Sequence, residues 1–128
     1  MDRRHVTTGT EWESQVGYSR AIRAGDIVRV SGTIATDDDG EVVAPGQAYE
    51  QTAHALGIVV DALDELGASV ADVVATRMYV TDVSQQEAVG RAHSEVFDDV
   101  RPAATMVEVS GLAAEGAVVE VEAEAVLD

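Results

Sequence analysis

Apolar and polar residues alternate with a period of two in five stretches of the chain and recur at three- and four-residue steps in two others. These are the signatures of half-buried strands and amphipathic helices. The segment VGYSRAIRAGDIVRVSGTIA predicts a hairpin turned at Ala24-Gly25-Asp26. Within it Ile27, Arg29 and Ser31 alternate with Val28, Val30 and Gly32, and Tyr18 shares a face with Arg20. From Ala48 to Leu66 the residues Ala53, Leu56, Val60, Leu63 and Leu66 mark a helix, with Gly67 placed to cap it. After a short connection, Ser69 to Asp72, the stretch Val73 to Val80 predicts a strand in which Val74, Thr76, Met78 and Val80 oppose Val73, Ala75, Arg77 and Tyr79. Ser84, with Glu87 three residues on, predicts the start of a second helix through Val89, Ala92, Val96 and Phe97, which Pro102 stops.

Two strands follow. In RPAATMVEV, Ala104, Met106 and Glu108 fall on one side and Thr105, Val107 and Val109 on the other, of which the second reads as core. In the last strand, Val118 to Val126, Val119, Val121, Ala123 and Ala125 oppose Glu120, Glu122 and Glu124. Both helices follow strands and lead into strands. The expected fold is therefore α+β, a mixed sheet with two helices on one face, in a single domain spanning residues 1–128. The other face gathers Tyr18, Arg20, Arg77, Tyr79, Glu108, Glu120, Glu122 and Glu124. Arginine, tyrosine and glutamate mixed in this way favour an interface, so subunits are expected to associate through this face with a polar pocket at each boundary.

Composition narrows the chemistry. The 24 acidic residues against 8 basic ones give a formal net charge of −16, and every basic residue is arginine. Without lysine there is no Schiff-base or phosphate-loop lysine, and a surface this acidic repels nucleic acid. Without cysteine there is no thiolate nucleophile, disulfide or cysteine-bound metal. The N-terminal MDRRHVTTGTEWES has no apolar run, and no later segment approaches membrane-spanning length, so a soluble, cytoplasmic protein is expected. Self-repulsion of the acidic surface is relieved when salt shortens the Debye length, which predicts a protein suited to a salt-loaded cytoplasm.

Other constellations carry less. TDDDGEVVAPGQ lacks the spacing of an EF-hand and reads as a solvated acidic turn. His5, His54 and His93 are scattered, with His54 and His93 read as helix-surface or edge residues, and no metal or other cofactor is expected. Ser31 has no nucleophile elbow around it, so its hydroxyl is read as a ligand donor. Trp12 precedes the first strand read here and either packs on the sheet edge or covers the pocket.

Taken in order, GYSRAI, VRVSGTIA, YEQTAHALGIVVDALDELGASVADVVATRMYVTD, RPAATMVEV and VVEVEAEAV resemble the RidA/YjgF family, formerly called endoribonuclease L-PSP. The likeness runs from about Gly17 to Val126. It implies a chorismate-mutase-like fold, a homotrimer whose sheets form a central β-barrel, and small-molecule pockets at the three subunit interfaces. Family deaminases hydrolyse imines and enamines such as 2-aminoacrylate to a keto acid and ammonia. By that resemblance Glu120 orients the attacking water, Tyr18, Ser31 and Gly32 line the pocket, and Tyr79 replaces a family phenylalanine. The arginine that grips the substrate carboxylate in those enzymes is here Ala104. With Met106 it implies a larger, less polar pocket, suited to a bulkier or uncharged imine, unless Arg20 or Arg77 replaces the anchor. The opposing expectation for both arginines is pairing with Glu108, Glu120 or Glu122. Three functions remain open at this point: an imine or enamine hydrolase, a non-catalytic binder of a small metabolite, and a ribonuclease, the last in conflict with the charge.

Overall fold

The computed structural model describes residues 2–128. Six strands form one sheet: β1 (Arg3–Val6), β2 (Ala21–Ala24), β3 (Ile27–Ile34), β4 (Val73–Val80), β5 (Ala103–Glu108) and β6 (Val119–Val126). Their order is β1-β2-β3-β6-β4-β5. Only β4 and β5 run parallel, while every other neighbouring pair is antiparallel. A short helix α1 (Glu11–Val16) lies between β1 and β2, and α2 (Ala48–Glu65) and α3 (Gln86–Phe97) follow β3 and β4. The two long helices pack on each other, and α2 lies on β3 and β6. Leu56, Val59 and Leu63 of α2 and Phe97 of α3 bury against Val28, Val30, Met78, Val119 and Val121.

The strongest periodicities fold as read. The hairpin turns at Gly25-Asp26, with Ala24 paired to Ile27. Strand β4 has the predicted ends, and in β6 Val119, Val121, Ala123 and Ala125 are all buried while the glutamates between them face out. Helix α2 ends at Gly67, whose φ of +79° lets the amides of Gly67 and Ala68 close on the carbonyls of Asp64 and Leu63.

Several details differ. Strand β1 and helix α1 were not foreseen, since four and six residues are too few to show a period. The buried stripe of α2 is rotated: Gln51, Thr52, Ala55 and Ala62 are inside, whereas Ala53 is exposed. The Asp82 carboxylate accepts from the amide and hydroxyl of Ser84, so Asp82 takes the role expected of the Ser84–Glu87 capping box. A register shift near the start of β4 buries Val73 and turns Val74 out.

The largest correction concerns β5. Ala104, Met106 and Glu108 sit beside Thr76, Met78 and Val80, on the helix-covered side, and Met106 packs against the core. Thr105 and Val107 sit beside Arg77 and Tyr79 on the open face. The two sides of this strand are thus the reverse of the reading from sequence. As an edge strand of mostly small residues it offers little hydrophobic contrast, and its parallel pairing with β4 decides the matter.

Candidate functional site

The site grows from the first twenty residues. Thr10 caps α1 by accepting from the Glu13 amide at 3.3 Å, and Gly17, at φ +89°, ends the helix and turns the chain back. That return brings Tyr18 and Arg20 under α1, alongside β3. Glu13 points inward and is 3% exposed. Its carboxylate accepts from the Thr7 hydroxyl at 2.7 Å, the Thr8 amide at 3.2 Å and the Thr8 hydroxyl, and it pairs with Arg20 at 3.4 Å. Burial acts to raise its pKa, but the Thr8 and Thr7 donors and the Arg20 charge outweigh it and hold the carboxyl below its ordinary value.

Arg20 is itself 8% exposed. One guanidinium nitrogen donates to the Gly32 carbonyl at 2.6 Å and to Thr33 Oγ1 at 3.2 Å; the other donates to Glu13 Oε2 at 3.4 Å and to the Tyr18 hydroxyl at 3.2 Å. The arginine therefore clamps α1, the approach to β2 and the middle of β3 together. Strand β3 yields there: after Val28 and Val30 a register shift makes Thr33 the next buried residue and leaves Gly32 at the bulge. A Cβ on Gly32 would stand 2.5 Å from Glu120 Oε1. The Glu120 carboxylate occupies that space, half-buried, with its pKa raised by burial and by Glu122 against the opposing pull of Arg20.

Tyr18, Arg20, Gly32 and Glu120 line a cleft of about 690 Å³. Trp12 and Glu11 of α1, the acidic turn at Asp38 and Asp39, and Ile58 and Ala114 complete its walls. Trp12, 58% exposed, stands at the rim. The acidic turn holds its shape through Asp37, whose carboxylate accepts from the amides of Asp39 and Glu41.

The remaining candidates lie elsewhere. The Ser31 hydroxyl, expected to face a ligand, donates instead to the Ser19 carbonyl at 2.7 Å. Arg77 is 3.9 Å from Glu122, which also accepts from the Tyr79 hydroxyl at 2.9 Å; these residues sit on the open sheet face with the Arg29–Glu124 pair. Pairing with an acidic face thus holds for Arg77, whereas Arg20 pairs with Glu13, a partner not foreseen. Ala104 and Met106 are on β5, separated from β3 by β6 and β4, and do not line this cleft within one chain. Glu108 accepts from the Val83 amide. Of the histidines, His54 bonds the Thr36 carbonyl, and His93 turns inward from α3 to Thr76 Oγ1 at 2.8 Å. Glu13, Thr7 and Thr8 escaped the sequence reading, although Thr10-x-x-Glu13 is itself a helix-start signature.

The model of the family described as endoribonuclease L-PSP matches residues 8–127. The chain is 42% identical over 122 residues to an uncharacterized protein of Streptomyces coelicolor, covering 95% of this chain and 90% of that protein. It is 34% identical over 104 residues to the 3-aminoacrylate deaminase RutC of Acinetobacter baylyi, covering 81% and 82%. A crystal structure of a YjgF/YER057c/UK114 family member from Mycobacterium tuberculosis superposes with a TM-score of 0.88 at 45% identity, covering 98% of this chain and all of that one.

Proposed function

The chain belongs to the endoribonuclease L-PSP family, and from that premise we propose that it is an imine or enamine deaminase of altered substrate range, with Glu120 as the catalytic carboxylate. The observation that carries the reading is the Glu120 carboxylate, lodged against the bare Cα of Gly32 and facing the Tyr18 cleft. Similarity to a 3-aminoacrylate deaminase supports the reaction class. Water attacks the carbon of the protonated imine while Glu120 takes its proton, giving a neutral carbinolamine. Glu120 returns that proton to the amine nitrogen, and the C–N bond breaks as the carbinol hydroxyl gives its own proton to Glu120; the carbonyl compound and ammonia leave, the ammonia taking this second proton as ammonium. An enamine first takes a proton at carbon to become the imine. A carboxyl whose pKa is raised suits a group that must both accept and return a proton near neutrality.

The whole chain acts as one domain in a homotrimer, its open sheet faces closing into a central barrel. Support for this comes from the exposed face of Arg29, Arg77 and Tyr79 and from Ile27, Val74 and Val126, which are 50%, 44% and 42% exposed. In such an assembly Ala104, exposed on an edge strand, would stand against a neighbour's cleft and leave it wider than an arginine would. The test is ammonia release from freshly generated 2-aminoacrylate and from imines of larger amino acids, by wild type and Ala104→Arg. Turnover of a larger imine by wild type, with gain on 2-aminoacrylate in Ala104→Arg, supports the reading. A second reading, a trimeric metabolite binder without turnover, is favoured by Ala104 and by the engagement of Arg20 with its own chain. An inert wild type whose Ala104→Arg variant becomes active on 2-aminoacrylate would establish it.

A further inference from the structure

We propose that the cleft selects ligands that carry a positive charge and no carboxylate, the iminium or ammonium form of a simple amine in place of an imino acid. The proposal rests on the reading of this cleft as the imine site and concerns which imines enter it. It begins with Arg20, the one basic residue among those lining the cleft. Its four Nη hydrogens are matched by four acceptors of its own chain, Gly32 O, Thr33 Oγ1, Glu13 Oε2 and the Tyr18 oxygen. Its charge is balanced by Glu13, which the threonine donors keep ionised. A ligand carboxylate could use the fork of Arg20 only by displacing these partners and leaving buried Glu13 with an unpaired charge, a costly exchange. Arg20 is thus part of the wall.

The remaining charges in the lining are all negative: Glu11, Asp38, Asp39 and Glu120. Trp12 shares this lining, its side chain largely exposed. Carboxylates at the mouth with an open indole beside them attract and hold a cation, by direct charge and by the ring's quadrupole. Tyr18 adds a fixed donor: its oxygen accepts from Arg20, which leaves its own O–H to give to the attacking water. The chain's net charge of −16 reinforces the same preference at longer range.

Trp12 is the sole tryptophan, so its fluorescence reports the cleft directly. Full-length protein is titrated with isopentylammonium, with leucine, which differs from it by one carboxylate, and with isovalerate, at low and at molar KCl, with calorimetry alongside. The expected result is saturable binding of isopentylammonium that shifts Trp12 emission, about tenfold or more tighter than leucine, with isovalerate weakest. A Glu11→Gln/Asp38→Asn/Asp39→Asn variant is expected to weaken amine binding about fivefold or more at low salt. A charge-matched Asp61→Asn/Asp64→Asn/Glu65→Gln variant, altered on the exposed last turn of α2, is expected to bind as wild type. Equal or tighter binding of leucine or isovalerate, equal weakening in both variants, or no binding of the amine would each overturn the proposal. The two claims separate cleanly. Amine binding without imine turnover sinks the deaminase reading alone, while turnover with tighter carboxylate binding sinks this one alone.

Discussion

At Gly32 the space that a side chain would fill is already taken by the carboxylate proposed to do the chemistry. Because the obstructing atom is the mobile end of Glu120 and Gly32 does not have a positive φ, Gly32→Ala is expected to leave stability within about 1 kcal/mol. Activity is expected to fall about 100-fold, because the carboxylate is moved by a fraction of its length from its working position. Thermal denaturation and steady-state kinetics on one sample check both halves. A pH profile checks the protonation state of Glu120 itself. Burial and Glu122 raise its pKa and Arg20 opposes them, so the acid limb of kcat/KM is expected above the usual glutamate range and absent in Glu120→Gln. The sign follows from the role: a base must be ionised, so activity is lost as pH falls through the raised value. Tyr18, Gly32 and Glu120, which the family likeness marks, line one cleft, as does Arg20, whose pairing with Glu13 was not expected. Glu13 was not legible in the sequence, because its burial depends on Thr7, Thr8 and Arg20, and no local pattern shows that a glutamate on a short helix turns inward.

Elements with long, clean periods were readable almost to the residue, as β4, β6 and α2 show, whereas those whose side is decided by a neighbour were not. On α2 the hydrophobic pattern passed over Gln51, which is fully buried. Its amide nitrogen donates to the carbonyls of Val43, Ala44 and Gly116, and its oxygen accepts from the Val118 amide, so one side chain ties two loops to the helix that backs β6. Gln51→Leu would strand those backbone groups and is expected to cost about 3 kcal/mol in chemical denaturation. The tie between α3 and β4 is expected to respond to pH. Burial depresses the pKa of His93, which bonds Thr76, so the folded state favours the neutral ring. Its contribution is present above about 6.5, the unfolded value, and is lost as pH falls through the lower folded value. His93→Gln is expected to flatten that acid slope in Tm measured across pH.

For the molecule as a whole, charge and the proposed assembly are each open to direct test. A net charge of −16 on 128 residues opposes compaction in dilute buffer, and Tm is expected to rise on going to molar KCl. Sedimentation in the same buffers is expected to give three copies, and a monomer at working concentration would remove β5 of a neighbour from the site. Composition showed this charge at once, but an interface needs another surface, and one chain's periodicity shows only that a face is left uncovered. The most direct measurement is single-substrate hydrolysis of a freshly generated, carboxylate-free imine by the assembled protein at molar KCl, wild type against Glu120→Gln, read as ammonia released. The proposed role of Glu120 requires turnover by wild type and a loss of about 100-fold or more in Glu120→Gln, with folding and Trp12 emission retained. Equal rates in the two proteins, or none in wild type, would contradict it.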